Sequence, residues 1–173
     1  MNDQTSSFDP NEFMQTTVDT PTEGLQTELK LCPEGEYRAM IDEFDGSAFD
    51  HFTFTYQKGP QAGLPGSMTK LNLPFKITDE PRLMQELGRT ETTVRKPINL
   101  DFDKDGKLDF GVNRNLELNR VRAAVGQDQP GAWGFAQLRG AGPVMIRVVH
   151  RTGKRKDGTD FKIAEVDRVV RVS

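Results

Sequence analysis

The sharpest local pattern in the chain is D-F-D-K-D-G-K-L-D, residues 101–109. Asp101, Asp103, Asp105 and Asp109 recur along it, and Gly106 sits where a tight turn would bend the backbone. Carboxylate oxygens at alternate positions around a glycine turn are the ligands a hard cation such as calcium takes. The last position of such a loop calls for a bidentate glutamate, and here it is Val112. Ile98, Leu100 and Phe102, then Leu108, Phe110 and Val112, recur every second residue, so the flanks read as strands. The simpler reading is an acidic hairpin reversed by its Asp-Gly turn, with no metal favoured.

The second set of residues is cationic. Lys154, Arg155 and Lys156 stand together between two predicted strands, with Arg147 and Arg151 on the approach and Lys162 on the return. Lys70 lies on an earlier strand. Exposed lysines and arginines at a loop tip suit phosphate contacts, because each neutralised phosphate releases counterions. Asp157 and Asp160 dilute that field.

The third set is aromatic. H-F-T-F-T-Y, residues 51–56, puts Phe52, Phe54 and Tyr56 on one side of a strand. Rings beside a basic groove are what single-strand binders stack bases on. The two phenylalanines of such a triplet are more often core, whereas the Tyr56 hydroxyl tolerates water. Trp133, in Q-P-G-A-W-G-F, is either a loop anchor or a second stacking residue.

Enzyme chemistry finds little footing. There is no phosphate-cradling glycine loop with its lysine, and no nucleophile elbow. His51 and His150 are the only histidines and Cys32 the only cysteine, too few for a Cys-based zinc site or a disulfide framework. Cys32 has no base closer than Lys30 to activate it. The expectation is a protein without catalytic activity or cofactor.

Elements must position these residues. The chain has 173 residues, 35% hydrophobic and 28% charged, with 16 Gly and 10 Pro, which favours short strands over a helix bundle. No stretch approaches the ~20 apolar residues of a membrane span, and no basic segment leads into an apolar run. Net charge is −3, unevenly spread. Residues 1–30 hold six acids and one base, so −5, whereas 137–173 hold nine bases and four acids, so +5. Residues 1–28 read as a disordered acidic arm in which Phe8, Phe13 and Met14 are the apolar exceptions. Residues 29–173 read as the folded domain. Strands are expected over 36–45, 51–56, 68–77, 94–102, 107–112, 144–151 and 159–172, the fourth and fifth forming a hairpin. Helices are expected over 78–87, capped by Thr78 or Asp79, and over 115–125, with a helical turn ending at Leu138. The fold class is mainly β (β-rich α+β). An OB-like, partly open barrel of five to six strands with one or two inserted short helices accommodates these elements.

The order of these features resembles a group of bacteriophage single-stranded-DNA-binding-like proteins built on an OB-type barrel. The residues that carry the likeness are F-D-P-N-E-F-M at 8–14, C-P-E-G-E-Y-R-A-M-I-D-E-F at 32–44 and K-L-N-L-P-F-K-I-T-D-E-P-R-L-M-Q-E-L-G-R at 70–89. N-R-N-L-E-L-N-R-V-R-A-A-V-G-Q at 113–127 and the segment from Leu138 to Val170 complete it. The resemblance implies sequence-tolerant binding of single-stranded DNA in phage replication or recombination, in the host cytoplasm. Lys70, Arg147, Arg151, Lys154, Arg155, Lys156 and Lys162 would then hold phosphates, and Tyr56 and Trp133 would stack bases. Bacterial-type single-strand binders end in an acidic tail. This chain ends R-V-V-R-V-S, so the N-terminal arm would have to recruit any phage or host replication or recombination protein. No membrane partner is expected, and oligomeric state is left open. The alternative is a phage protein-interaction or structural β module, stabilised by calcium at the Asp-rich hairpin.

Overall fold

The computed structural model describes residues 30–173; the acidic arm lies outside the described residues. Six strands form one mixed sheet: β1 (Gly35–Ile41), β2 (Phe49–Thr55), β3 (Pro65–Thr78), β4 (Glu91–Leu100), β5 (Val144–Lys154) and β6 (Asp160–Arg171). Five of them close into a ring, running β1-β5-β6-β4-β3 and back to β1. This is an OB-like barrel, and β2 is an extra strand attached outside the ring to the first half of β3. Two helices are inserted, α1 (Pro81–Leu87) and α2 (Leu116–Ala124), together with short 3-10 turns at Gly46–Ala48 and Phe135–Leu138.

Alternation along the strands fills the interior. Tyr37, Ala39 and Ile41 of β1, Leu71, Leu73, Phe75 and Ile77 of β3, and Ile146 and Val148 of β5 all point inward and are buried. Leu118 and Val121 of α2 are also buried, and α2 packs against β6 and β4. Helix α1 is capped by Glu80, whose side chain accepts from the Arg82 amide, and ends at Gly88 with φ 68°. The expected caps Thr78 and Asp79 are not used, because β3 runs on to Thr78. Arg82 ties the helix to the start of β1. Its guanidinium donates to the Glu34 carbonyl at 3.0 Å and lies 5.5 Å from the centre of the Tyr37 ring.

The ring closes weakly at one place. β4 and β6 are parallel and share a single paired position, Arg95 with Glu165. A register shift in β6 skips Asp167, leaving it unpaired with β5. Lys96 points inward from β4, only 6% exposed, and donates to the Asp167 carbonyl at 2.8 Å. Its ammonium also meets Glu117 of α2 at 3.0 Å. Burial raises the Glu117 carboxyl, but hydrogen bonds and charge from Lys96 and Arg120 outweigh it and hold the group below its ordinary value. One lysine therefore joins β4, β6 and α2.

The expected hairpin over 94–102 and 107–112 is corrected. The partners of β4 are β3 and β6, and 107–112 forms no strand. Only Phe102 and Leu108 pair across the Asp-Gly turn. The loop is held by Asn115 instead. Its side chain accepts from the Asp101 amide and donates to the Asp101 and Asp109 carbonyls, while its own amide donates to Asp101 Oδ2. Asn115 adopts φ 46°, a conformation asparagine tolerates.

Two outcomes are expected. Lys96→Met keeps the packed stem but strips the Asp167 carbonyl of its donor. It should cost about 1–3 kcal/mol, read as a lower urea midpoint. Tyr37 is buried and donates to the Pro33 carbonyl at 2.8 Å. Burial, reinforced by Cys32, pushes its hydroxyl from 10.0 up to about 12. The folded value lies above the unfolded one, so this contribution is complete below pH 10 and lost as pH rises through about 12. Urea melts at rising alkaline pH should show wild type losing stability more steeply than Tyr37→Phe.

Candidate nucleic-acid interface

Counted along the ring, β3 and β4 are the second and third strands. Partners across an antiparallel ladder share a face. Lys70 stands opposite Asn99, Asn72 opposite Pro97, and Pro74 opposite Arg95. On the β2 side, Lys70 stands opposite Asp50, Met68 opposite Phe52, and Gly66 opposite Phe54. Rings and cations thus lie on one continuous outer face of β2, β3 and β4. Phe52, Phe54 and Tyr56 are 40%, 37% and 36% exposed, so the reading of the two phenylalanines as core is corrected. The reason is topological: β2 lies outside the ring, and beyond Phe49, which packs on the core, neither of its faces is covered.

The rings are held in place. Phe54 and Tyr56 meet edge to face, 5.0 Å between centres. A Cβ on Gly66 would lie 2.8 Å from both rings, so only glycine lets them close over β3. The Lys70 ammonium lies 5.5 Å from the centre of the Phe52 ring. The β5–β6 arm repeats the device, since a Cβ on Gly153 would lie 2.6 Å from the Phe161 ring.

Beside the rings a cleft of about 710 Å³ runs between β4 and β6. Its cationic lining comes from four segments: Lys30 before β1, Lys70 on β3, Arg89 after α1 and Arg95 on β4, against one carboxylate, Glu165. Among the described residues none of the four cations has a carboxylate within ion-pair distance. Cys32 also lines the cleft, but burial pushes its thiol up, so it stays protonated. On the far side of Arg95 the face meets an acidic lip formed by Asp42, Glu43 and Asp45. Hydrogen bonds from the Ser47 hydroxyl and amide hold the Asp45 carboxyl below its usual value, so it stays charged. The lip puts negative charge at that end of the face, opposite in sign to the cleft.

The expected cations at the last hairpin are placed differently. Arg151 pairs with Asp167 at 2.9 Å and with Glu165 at 3.7 Å. Lys154 pairs with Asp160 at 3.6 Å, and Arg155 lies over the Phe161 ring. Lys156 and Lys162 are exposed on this arm. Arg147 is on a different wall, opposite Arg168. Trp133 is half-buried against the core, donates to Gln127 Oε1 at 2.9 Å, and carries the Arg122 guanidinium over its ring. It anchors the loop. Sequence reading missed Lys30, Arg89 and Arg95. The outward alternation of β4, which puts Thr93, Arg95, Pro97 and Asn99 together, was the available signal.

Three of the four aspartates of the Asp-rich loop have their carboxylates engaged locally, Asp101, Asp103 and Asp109. Asp103 Oδ1 accepts from the Asp105 and Lys107 amides, Asp109 Oδ1 from the Gly111 amide, and Arg114 lies against both Asp101 and Asp109. Among the described residues, no three His, Cys, Asp or Glu side chains are placed to hold one metal ion.

Comparison with protein-family models, curated proteins and solved structures found no match.

The Asp-rich loop gives a direct expectation. Asp103→Ala removes the acceptor for two amides and should cost about 1–3 kcal/mol. Its melting temperature should fall equally with millimolar calcium and with chelator. A calcium-dependent rise in the wild-type melting temperature, lost in the variant, would show a cation site instead.

Proposed function

We propose that this protein binds single-stranded DNA with little sequence preference along the outer face of β2, β3 and β4, and performs no chemistry of its own. One observation carries the reading: exposed rings and carboxylate-free cations share a continuous face. Every base has a π-face, so stacking on Phe52, Phe54 and Tyr56 is indifferent to sequence. Lys30, Lys70, Arg89 and Arg95 would take the phosphates, which position a strand without specifying its bases. The fold supports this by analogy. OB barrels in general take oligonucleotides and oligosaccharides on the face of their second and third strands, framed by the loops after strands one and four. Here the β2 arm stands in the first of those loops and the β5–β6 tip in the second. The order of features that resembles the phage proteins supports a role in replication or recombination. A protein-docking module is favoured by a different feature, the exposed Phe102, Phe110, Val112 and Leu116 around the Asp-rich loop.

Titration of a labelled oligonucleotide at increasing salt separates the two. Four neutralised phosphates predict a slope of log affinity against log salt near −3, at roughly −0.7 each. Lys70→Ala with Arg95→Ala should flatten that slope by about half. Phe52→Ala with Tyr56→Ala should weaken binding by at least about tenfold while leaving the slope alone, since a stacked base is worth roughly 1–3 kcal/mol. Replacing Lys154, Arg155 and Lys156 should matter less than replacing the cleft pair. Absence of binding at about 50 mM salt, where electrostatic association is favoured, would remove the reading.

A further inference from the structure

The outer wall of β1, β5 and β6 carries an arrangement that strand binding leaves unused. The register places Arg147 between Glu36 and Arg168, and in the next row Met145 between Arg38 and Val170. Like charges directly opposite on neighbouring antiparallel strands repel. Arg38, Arg147 and Arg168 are exposed, and among the described residues none has a carboxylate within ion-pair distance. Glu36 is the one acid in these two rows. Exposed Met40 and Val170 and half-buried Met145 are interleaved with the guanidinium groups. Such a wall calls for an occupant that is acidic and apolar at once.

We infer that this wall seats residues 8–14, F-D-P-N-E-F-M, of the same molecule. Asp9 and Glu12 supply carboxylates for planar guanidinium forks, which bind such groups bidentately. Phe8, Phe13 and Met14 supply the apolar contacts for Met40, Met145 and Val170. The whole of 1–29 holds six acids and no base, so the match extends beyond the seven residues. Reach is sufficient. Fifteen residues lie between Met14 and Lys30, an extended span of about 50 Å at roughly 3.3 Å per step. The chain then enters β1 at Gly35, and its next residue, Glu36, is already in the wall. A tether this close raises the effective concentration of the segment. A nucleic-acid backbone fits the wall less well, because it has nothing to cover the two methionines. The cleft fits the segment less well, because its cations line a groove beside rings, suited to alternating phosphate and base.

The inference is independent of strand binding and is tested on the full chain without nucleic acid. A photoreactive benzoylphenylalanine in place of Phe13 is irradiated and its adducts are mapped. Adducts are expected on Met40, Met145 or Val170, with a yield unchanged on about 100-fold dilution, as an intramolecular contact requires. Arg147→Glu with Arg168→Glu, both at exposed positions, should lower the yield by about tenfold with the fold retained by circular dichroism, the added repulsion against Glu36 giving only a small fall in melting temperature. Adding Asp9→Arg and Glu12→Arg to that variant should restore it. Adducts on the cleft or on the β2 rings, a yield that falls with dilution, or an unchanged yield in the Arg147→Glu, Arg168→Glu variant would each overturn the assignment.

Discussion

Closure between β4 and β6 governs what the rest of the molecule can present. The other four junctions of the ring are antiparallel ladders, whereas this one is a single parallel pair, Arg95 with Glu165. Beside that pair β6 bulges at Asp167, and the carbonyl the bulge leaves unpaired with β5 is taken by the Lys96 ammonium. Taking an ammonium out of water is costly, and it is tolerated only where strong acceptors replace the lost hydration. Here a carbonyl and the Glu117 carboxylate do so. Alternation then fixes the neighbouring residue. With Lys96 committed inward, Arg95 must point outward, into the parting that incomplete closure leaves. The cationic cleft is thus a consequence of the seam.

The two hairpin arms extend past the ring, where no shared core can order them. Each orders itself by laying an aromatic ring over a cross-strand glycine, Phe54 with Tyr56 over Gly66 and Phe161 over Gly153. Rings fixed this way lose less freedom when something stacks on them, so less of the contact energy is spent on ordering. That makes an exposed aromatic face consistent with the proposed strand binding, since the rings are packed against backbone on one side and open on the other.

Much of the barrel was legible from the sequence because a period of two marks each strand, as in Leu71, Leu73, Phe75 and Ile77. Alternation does not say which strands are neighbours. Residues 107–112 alternate as well as 94–100 do, yet Leu108 only bridges back to Phe102 while Asn115 gathers the loop. The same blindness affected the site. Lys154, Arg155 and Lys156 were conspicuous because they are contiguous, but two of the three are engaged within their own arm. Lys30, Lys70, Arg89 and Arg95 are scattered over 66 positions and converge only through the fold. The exposure of Phe52 and Phe54 was unreadable for a related reason: whether an aromatic strand face is covered depends on whether the strand lies in the ring or beside it.

The central claim is that a single strand lies on the outer face of β2, β3 and β4, with its bases against the rings and its phosphates along the cleft. Photocrosslinking an oligonucleotide that carries iodouracil at successive positions tests this most directly, because the adduct reports which side chain touches a base. The account predicts adducts on Phe52, Phe54 or Tyr56. Adducts confined to Trp133 or to the β5–β6 tip would contradict it.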